Sequence, residues 1–322
     1  MESPTRLVER FRSNGVELVC PACRDAALES TAEGLGCPGC ERQYPVVNGL
    51  PDLRLVPDRF LSMEEDRAKG LRVLAQAEDE TYGAALESYW SQTLELNQAL
   101  KANHLARQLS EPENGRALLK HLGPTTGPLL DLGCGQAGLV EAAEGDGAVA
   151  VGLDAAFRWL LVARRRLPQH SLIVCANAET PPFRAEAFQT VVANDLLEHV
   201  EDPRVVVRAA ERICSGRLYL ASNNRWSLAP EPHVRLLGVG WLPRSWQSGY
   251  VQAFRGHDYS RVRLLSRREA LGLPAGGDFR VRRAGSAPVF SAHMAPRLRR
   301  LAAFTSRLGP WAPRFEVDAL RR

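Results

Sequence analysis

Two pairs of cysteines stand near the start of the chain, each with two residues between its members. The first pair is Cys20 and Cys23, and the second, after thirteen intervening residues, is Cys37 and Cys40. Each pair can lie on one tight turn, so that four thiolates converge tetrahedrally on a single Zn²⁺ ion. A segment of about forty residues buries too little apolar surface to fold unaided, and metal binding would supply the missing free energy. These cysteines are therefore predicted to bind one structural zinc.

A glycine-rich turn follows a short apolar run in residues 128–139, whose sequence is PLLDLGCGQAGL. Gly133, Gly135 and Gly138 have the spacing G-x-G-x-x-G, which lets a backbone approach a ligand closely because no Cβ intervenes. The helix predicted behind the turn offers unpaired N–H groups at its N-terminus. Asp131, just before the glycines, would repel a pyrophosphate. It favours a cationic ligand with an amino acid end over a nicotinamide dinucleotide.

Polar side chains are expected at the ends of the later strands of the same domain. Asp154 comes about twenty residues after the glycines, where an acid accepts hydrogen bonds from ribose hydroxyls. Asn177 and Asn194 follow the ends of two further predicted strands. Two histidines are candidate general bases. His199 follows the fourth predicted strand and is equally consistent with a structural role, whereas His233 lies in a later aromatic segment where an acceptor would bind.

Four stretches of the chain resemble, in order and spacing, the class I S-adenosylmethionine-dependent methyltransferases of the ubiquinone and menaquinone methyltransferase-like branch. The stretches are LLDLGCGQAG, AVAVGLDAAF, CANAETPPF and TVVANDLLEHVEDP, within residues 118–220. The resemblance implies S-adenosylmethionine as cofactor. It implies cofactor contacts for these residues: Asp131, Gly133, Cys134, Gly135, Gly138, Asp154, Ala155, Asn177, Ala178, Glu179, Asn194 and Leu196. The family has an acid at the adenine position, so Asn177 is expected to make that contact through an amide instead.

A second resemblance concerns the segment that follows the cysteine pairs. Residues 44–53, of sequence YPVVNGLPDL, resemble the closing segment of the Trm112-type zinc ribbon domain. Ribbons of this type occur fused to methyltransferases, and also as free partners that stabilise them. The resemblance implies a closed structural zinc site at Cys20, Cys23, Cys37 and Cys40.

Strands and helices are predicted to alternate after residue 127, which indicates a parallel sheet with right-handed crossovers. The predicted strands are 128–132, 148–153, 171–175, 188–193 and 216–222, and the predicted helices are 138–145, 156–167 and 203–213. A strand at 279–285, a basic helix at 293–308 and a strand at 314–320 complete the seven-stranded sheet that the resemblance implies. The expected fold class is α/β, a Rossmann-like methyltransferase sheet with helices on both faces, preceded by a small zinc-ribbon domain.

Three regions are expected along the chain: a zinc ribbon at 1–57, a helical linker or lid at 58–115 and the Rossmann-like domain at 116–322. Apolar residues at spacings of three and four predict the helices of the linker, with a break at 112–115. An aromatic insertion at 222–270 is expected over the strand ends. It would form either a wall of the acceptor pocket or a small core of its own.

Composition sets limits on compartment and partners. The chain of 322 residues has a net charge of +4, no run of about 18 apolar residues and no signal peptide. We therefore expect a cytoplasmic protein without a membrane span, whose thiols stay reduced. Residues 255–322 hold fifteen arginines against five acids, a net charge of +10. This excess indicates either an anionic partner or a coding bias towards solvated arginine.

Two functions remain open from the sequence, and the oligomeric state is not indicated. The first is methyl transfer to a small-molecule acceptor, on an oxygen of a lipid-like, glycosidic or other specialised metabolite. The second is RNA base methylation, with the ribbon and the basic C-terminal third binding RNA. Residues 194–197 lack the Asn-Pro-Pro-Tyr of exocyclic amine methylation, which favours the first. A non-catalytic cofactor-binding protein is a third possibility, against which the glycine turn and Asp154 weigh.

Overall fold

The N-terminal region is one helix and a small sheet, as described in a computed structural model. The structure describes residues 3–93, 96, 98–256, 258–274, 278–289, 300 and 303–322. Helix α1 (Pro4–Ser13) begins after Ser3, whose hydroxyl accepts from the Arg6 N–H. The strands that follow are β1 (Glu29–Ser30), β2 (Gly34–Gly36), β3 (Gln43–Val47) and β4 (Leu50–Pro51). They pair antiparallel in chain order, which gives the small fold expected of a ribbon.

Four helices connect the small sheet to the large one. They are α2 (Met63–Gln76), α3 (Tyr82–Ser91), α4 (Gln98–Leu109) and α5 (Glu111–Leu122). The predicted break at 112–115 is wrong, because Pro112 lies in the first turn of α5, where its missing N–H costs nothing. The expected boundary between residues 115 and 116 therefore falls inside a helix.

The large sheet has seven strands, close to the predicted positions. They are β5 (Leu129–Leu132), β6 (Ala150–Asp154), β7 (Leu172–Cys175), β8 (Phe188–Asn194), β9 (Cys214–Asn223), β10 (Phe279–Gly285) and β11 (Arg314–Arg321). Their order is β10-β11-β9-β8-β5-β6-β7. Strand β11 is antiparallel to both of its neighbours, and the other pairs are parallel. This is the Rossmann-like α/β fold that the sequence predicts.

Helices cover both faces of this sheet. The helices after β5, β6 and β8 are α6 (Gly138–Gly145), α7 (Phe157–Ala163) and α8 (Pro203–Ile213). Successive residues of β5 belong to different apolar clusters, because side chains alternate across a strand. Leu129 packs in the cluster that contains α6 and α7, whereas Leu130 packs in the cluster that contains α8.

The N-terminal region does not have a core of its own. Its buried side chains, such as Leu7, Phe11 and Leu35, belong to the same apolar cluster as one face of the large sheet. The Val19 N–H donates to the Pro182 carbonyl at 2.9 Å. The ribbon and the large sheet therefore share one core.

The segment after β9 contains helix α9 (Arg244–Arg255) and leads into α10 (Arg267–Leu271). It has a small apolar cluster of its own, formed by Val234, Leu236, Val239, Val251 and Tyr259. Trp241, Trp246 and Phe254 are exposed instead. The insertion therefore has a small core of its own, and its role as a wall of the acceptor pocket stays a prediction.

The predicted basic helix at 293–308 lies mostly outside the described residues. In the part of the chain that the structure describes, none of the helices has the length and apolar character that crossing a lipid bilayer requires.

Candidate functional site

The four predicted zinc ligands lie together in the ribbon, with all their sulfur atoms within 4.8 Å of one another. The Cys20 and Cys40 Sγ atoms are 3.6 Å apart, and those of Cys23 and Cys37 are 3.5 Å apart. Zinc–sulfur bonds of ~2.3 Å in a tetrahedron separate sulfur atoms by roughly 3.8 Å, so the cluster has the size for one ion. The Tyr44 hydroxyl lies 3.1 Å from Cys20 Sγ and helps to fix that ligand. Zinc binding is thus an expectation that the thiol geometry supports.

Elemental analysis should find one zinc per chain, and Cys23→Ser should lower that content. Because the ribbon shares its core with the large sheet, this variant should also lower the melting temperature of the whole chain. Glu33→Ala, an exposed change in the same region, is the matched control and should leave both values unchanged. A metal-free protein with the heat and protease resistance of the metal-loaded one would contradict the prediction.

The glycine turn between β5 and α6 is held against the end of β6. Gly133, Gly135 and Ala137 have φ angles of +82°, +52° and +58°, in the left-handed region that favours glycine. The N–H groups of Gly133 and Cys134 donate to the Leu153 carbonyl at 2.7 and 3.0 Å. The turn is therefore fixed before any ligand arrives.

Asp154, the last residue of β6, connects this turn to the next helix. Its Oδ2 accepts from the Gly135 N–H at 2.8 Å, and its Oδ1 accepts from the Ala156 N–H at 2.7 Å. Burial raises the pKa of Asp154, and the two hydrogen bonds oppose that rise. Each carboxylate oxygen keeps a lone pair that a ribose hydroxyl can use.

A cavity of about 210 Å³ opens between the glycine turn, α4, α5 and the end of β8. It is lined by His104, Arg107, Gln108, Glu111, Asn114, Gly115, Leu118, Asp131, Gly133, Cys134, Gly135, Gln136, Leu139, Asn194 and Asp195. Gly138 does not line it. A Cβ on Gly115 would lie 2.0 Å from the Gly138 carbonyl oxygen, so this glycine pair serves the close crossing of α5 and α6.

One wall of the cavity carries buried carboxyl groups. Burial raises the pKa of Asp131 well above its usual range, and the charges of Glu111 and Asp154 raise it further. Burial also raises the pKa of Glu111, against the opposing charge of Arg107. Such carboxyl groups gain a compensating charge when a cationic group binds beside them.

Arginines fix the part of the lining that comes from the end of β8. Asp195 Oδ2 accepts from Arg107 Nη2 at 3.1 Å, and Asp195 Oδ1 accepts from Arg314 Nη2 at 2.7 Å. Arg314 Nη2 also donates to Asn194 Oδ1 at 2.7 Å. Arg314 thus ties β11 to the end of β8, although the strands are far apart in sequence.

Six further residues expected near the cofactor do not line this cavity: Asp154, Ala155, Asn177, Ala178, Glu179 and Leu196. A Cβ on Gly133 would meet the Leu196 side chain at 2.8 Å, so Leu196 covers the turn. Ala178 is buried and Glu179 is half-buried, beyond the end of β7. Burial raises the pKa of Cys134 well above its usual value, so this thiol is neutral.

Asn177 already has partners within the chain. Its Oδ1 accepts from the N–H groups of Leu55 and Val56 at 2.8 and 3.2 Å, and its Nδ2 donates to the Val56 carbonyl at 3.1 Å. The neighbouring Ala155 carbonyl accepts from Arg54 Nη1 at 2.9 Å. The segment that leaves the ribbon therefore reaches the strand ends where the adenosine was expected.

The two candidate bases meet in a hydrogen-bonded chain. Nε2 of His199 and Nε2 of His233 are 3.1 Å apart, and His233 Nδ1 pairs closely with the Glu231 carboxylate. Burial and the charge of His233 lower the pKa of His199 to about 4. Burial also opposes the charged form of His233, but Glu231 outweighs it and raises the pKa of His233. Among the described residues, His199 Nδ1 is buried without a hydrogen-bond partner.

Glu198 is the third member of this cluster, beside His199 and His233. Its ligand atom and those of His199 and His233 lie within 4.8 Å of one another, a spacing that a metal ion can accept. The Glu198 carboxylate accepts from Ser222 Oγ at 2.7 Å and from Asn223 Nδ2 at 2.8 Å. The Glu198 carboxylate is therefore satisfied by hydrogen bonds from the end of β9.

Several residues of the site were not identified from the sequence. Asn114 lies in the stretch where a break was expected and Glu111 lies just before it, so their positions in α5 were not foreseen. His104 and Arg107 lie on α4, in the region that was predicted only to be helical. Arg314 was placed on a strand, with no signal that its side chain reaches Asp195.

Comparison with known proteins assigns a family to the centre of the chain. Residues 130–220 match the family described as "Methyltransferase domain". The "Ubiquinone biosynthesis O-methyltransferase" of Sodalis glossinidius is 33% identical over 103 residues, which cover 30% of this chain and 41% of that protein. The protein of the same name from Idiomarina loihiensis is 30% identical over 131 residues, covering 36% and 51%. The chain thus spans about half, or less, of the length of these relatives.

Solved structures with a similar fold are distant in sequence. Geranyl diphosphate C-methyltransferase from Streptomyces coelicolor is 17% identical, with a TM-score of 0.48 and coverage of 75% of this chain and 98% of that one. A complex of the Haloferax volcanii Trm112 methyltransferase activator with a methyltransferase has 13% identity, a TM-score of 0.47 and coverage of 73% and 97%.

The family match falls on β5 to β9, the strands whose ends carry the glycine turn, Asp154 and Asn194. The strand order is the one that a Rossmann-like methyltransferase sheet requires. Residues 130–220 are therefore a methyltransferase domain, with the sheet of the class I S-adenosylmethionine-dependent methyltransferases.

Proposed function

We propose that this protein transfers a methyl group from S-adenosylmethionine to an oxygen atom of a small-molecule acceptor. The cofactor supplies an electrophilic methyl group on a positively charged sulfonium. Asp131 and Glu111 attract its cationic end to the cavity, and Asp154 accepts hydrogen bonds from its ribose. The remaining task of the protein is to align the acceptor with the methyl group and to remove a proton from it.

The observation that carries this proposal is the hydrogen-bonded chain of Glu231, His233 and His199. With both imidazoles neutral, His233 donates from Nδ1 to Glu231 and accepts at Nε2 from the His199 Nε2–H. This arrangement leaves the lone pair of His199 Nδ1 free to take a proton from an acceptor hydroxyl. The proton on His199 Nε2 then moves to His233, where the positive charge rests beside Glu231.

The position of this chain beside the cavity supports a role in catalysis. His199 follows Asp195, which lines the cavity, by four residues, and the charges of Asp195 and Arg107 act on His199. His233 comes from the insertion that covers the strand ends. The base would therefore stand between the cofactor and the region where an acceptor enters.

A small-molecule acceptor is favoured over RNA. The relatives named above are O-methyltransferases of ubiquinone biosynthesis. Several arginines of the basic C-terminal third are used within the chain: Arg314 binds Asp195, Arg282 binds Asp318 and Arg321 binds Glu186. Part of the positive charge of this region is thus neutralised by ion pairs within the chain.

Incubation of cell extract with the protein and labelled-methyl S-adenosylmethionine tests this function. We expect label in a small molecule extracted away from protein and nucleic acid, in an ether or ester linkage. The Asp154→Ala protein, with weakened cofactor binding, is the control. Label that enters RNA alone would favour base methylation, and no label in any fraction would indicate a non-catalytic protein.

The pH dependence of turnover should follow the protonation state of the His199–His233 pair. The base works only when the pair has released its extra proton, so kcat/KM should rise as pH increases through the raised pKa of His233. Glu231→Gln removes the charge that raises this pKa, so the rising limb should move to lower pH and kcat should fall. A profile that is identical in the variant would contradict the role of Glu231.

A further inference from the structure

We infer that the linker between the ribbon and α2, residues 53–60, forms a wall of the adenosine subsite. This inference rests on the proposed function, because it assigns part of the S-adenosylmethionine site to a segment outside the methyltransferase domain. The linker crosses the carboxyl ends of β7, β6 and β8, the edge of a parallel sheet where ligands bind. Contacts at each of these strand ends hold it there.

At the end of β7 the linker backbone forms hydrogen bonds with the Cys175 carbonyl and with the Asn177 side chain. The Leu53 N–H donates to the Cys175 carbonyl at 2.7 Å, in the manner of an added strand. The Asn177 amide, two residues further on, is engaged by the backbone of Leu55 and Val56 through three hydrogen bonds. The side chain at the adenine position therefore fixes the linker, and the linker presents its own surface to that position.

At β6 a buried ion network joins the linker to the loop after Asp154. Arg54 donates to the Ala155 carbonyl at 2.9 Å and to Asp66 Oδ2 at 2.6 Å, and neither charged side chain is exposed to solvent. Asp66 also accepts from the Phe157 N–H at 2.7 Å, so it caps α7. Breaking a buried charge pair is costly, which fixes the linker relative to this loop.

At β8 the linker reaches the insertion on the acceptor side. Asp58 is still on the β6 side and accepts from Arg158 Nη1, on the helix that follows β6, at 2.6 Å. Arg59 Nη1 lies 3.0 Å from the Arg261 carbonyl and 3.4 Å from the His199 carbonyl. The linker thus spans from the adenine position to the histidine pair.

Between these anchors the linker exposes an apolar side chain. Val56 is 56% exposed, although its N–H and carbonyl are both held by Asn177. An exposed valine on a fixed backbone offers the apolar contact that an adenine ring requires. Val56 is therefore assigned as a residue that contacts adenine.

Calorimetric titration of S-adenosylhomocysteine into wild type and Val56→Asp tests this assignment. The variant should bind about tenfold more weakly or worse, because a buried carboxylate would face the adenine without a partner. Its melting temperature should not change, because the side chain is exposed. Leu71→Asp is the matched control: it places the same charge at a 42% exposed leucine on α2, and should bind as wild type does.

Hydrogen exchange gives an independent measurement on the wild-type protein. The backbone N–H groups of residues 53–56 and of Asp58 should become more protected when S-adenosylhomocysteine saturates the site. Wild-type affinity in Val56→Asp would overturn this inference alone. A wild-type protein that binds no S-adenosylhomocysteine would overturn the proposed function together with it.

Discussion

His233→Ala should reduce kcat on the true acceptor by about 10²–10⁴-fold, the usual contribution of a general base. The variant removes the imidazole that receives the relayed proton and leaves Glu231 without its partner. His199 would then act alone, and burial still lowers its pKa, so that it remains a weak base. Initial rates at saturating acceptor give the effect directly.

The same variant should retain cofactor binding, since His233 does not line the cavity beside the glycine turn. His170→Ala is the control: His170 is exposed and distant from His233 in the sequence, and the variant should keep full activity. A His233→Ala enzyme with wild-type kcat would show that alignment alone suffices and that no protein base is required.

Asp154→Ala should weaken S-adenosylhomocysteine binding by about 1–3 kcal/mol, the cost of leaving buried hydrogen-bonding groups without partners. The change removes the acceptor of the Gly135 and Ala156 N–H groups, and with it the acceptor proposed for the ribose hydroxyls. The loss should therefore appear both in the binding constant and in the melting temperature of the unliganded protein.

Asp146→Ala is the control for this change, because Asp146 is an exposed acid at the end of α6. It should bind the cofactor product as wild type does. Equal affinity of Asp154→Ala and wild type would show that the ribose is held elsewhere.

The sequence predicted the sheet well because strong local patterns coincide with it. Strands β5 to β9 each contain a short apolar or β-branched run, and the glycines mark the turn after β5, whereas β10 and β11 are richer in charged residues. The predicted break at 112–115 failed, because Pro112 and Gly115 are turn formers that also suit a helix. Pro112 occupies a first turn, and Gly115 provides the space for Gly138 in the crossing helix.

The sequence predicted only those site residues that lie at the ends of strands. Asp131, Asp154 and Asn194 lie at strand ends, which topology alone brings to one edge. The contacts of Arg314 with Asp195 and of the linker with Asn177 join residues about 120 positions apart. No local pattern indicates such pairs, because they depend on how the elements pack.

Calorimetric titration of the wild-type protein with S-adenosylhomocysteine, and separately with NADH, tests the central claim most directly. We expect one saturable site per chain for S-adenosylhomocysteine and no binding of NADH, because a pyrophosphate beside the buried carboxyl groups of Asp131 and Glu111 would bring further negative charge and no compensating positive charge. Tight binding of NADH without binding of S-adenosylhomocysteine would contradict it.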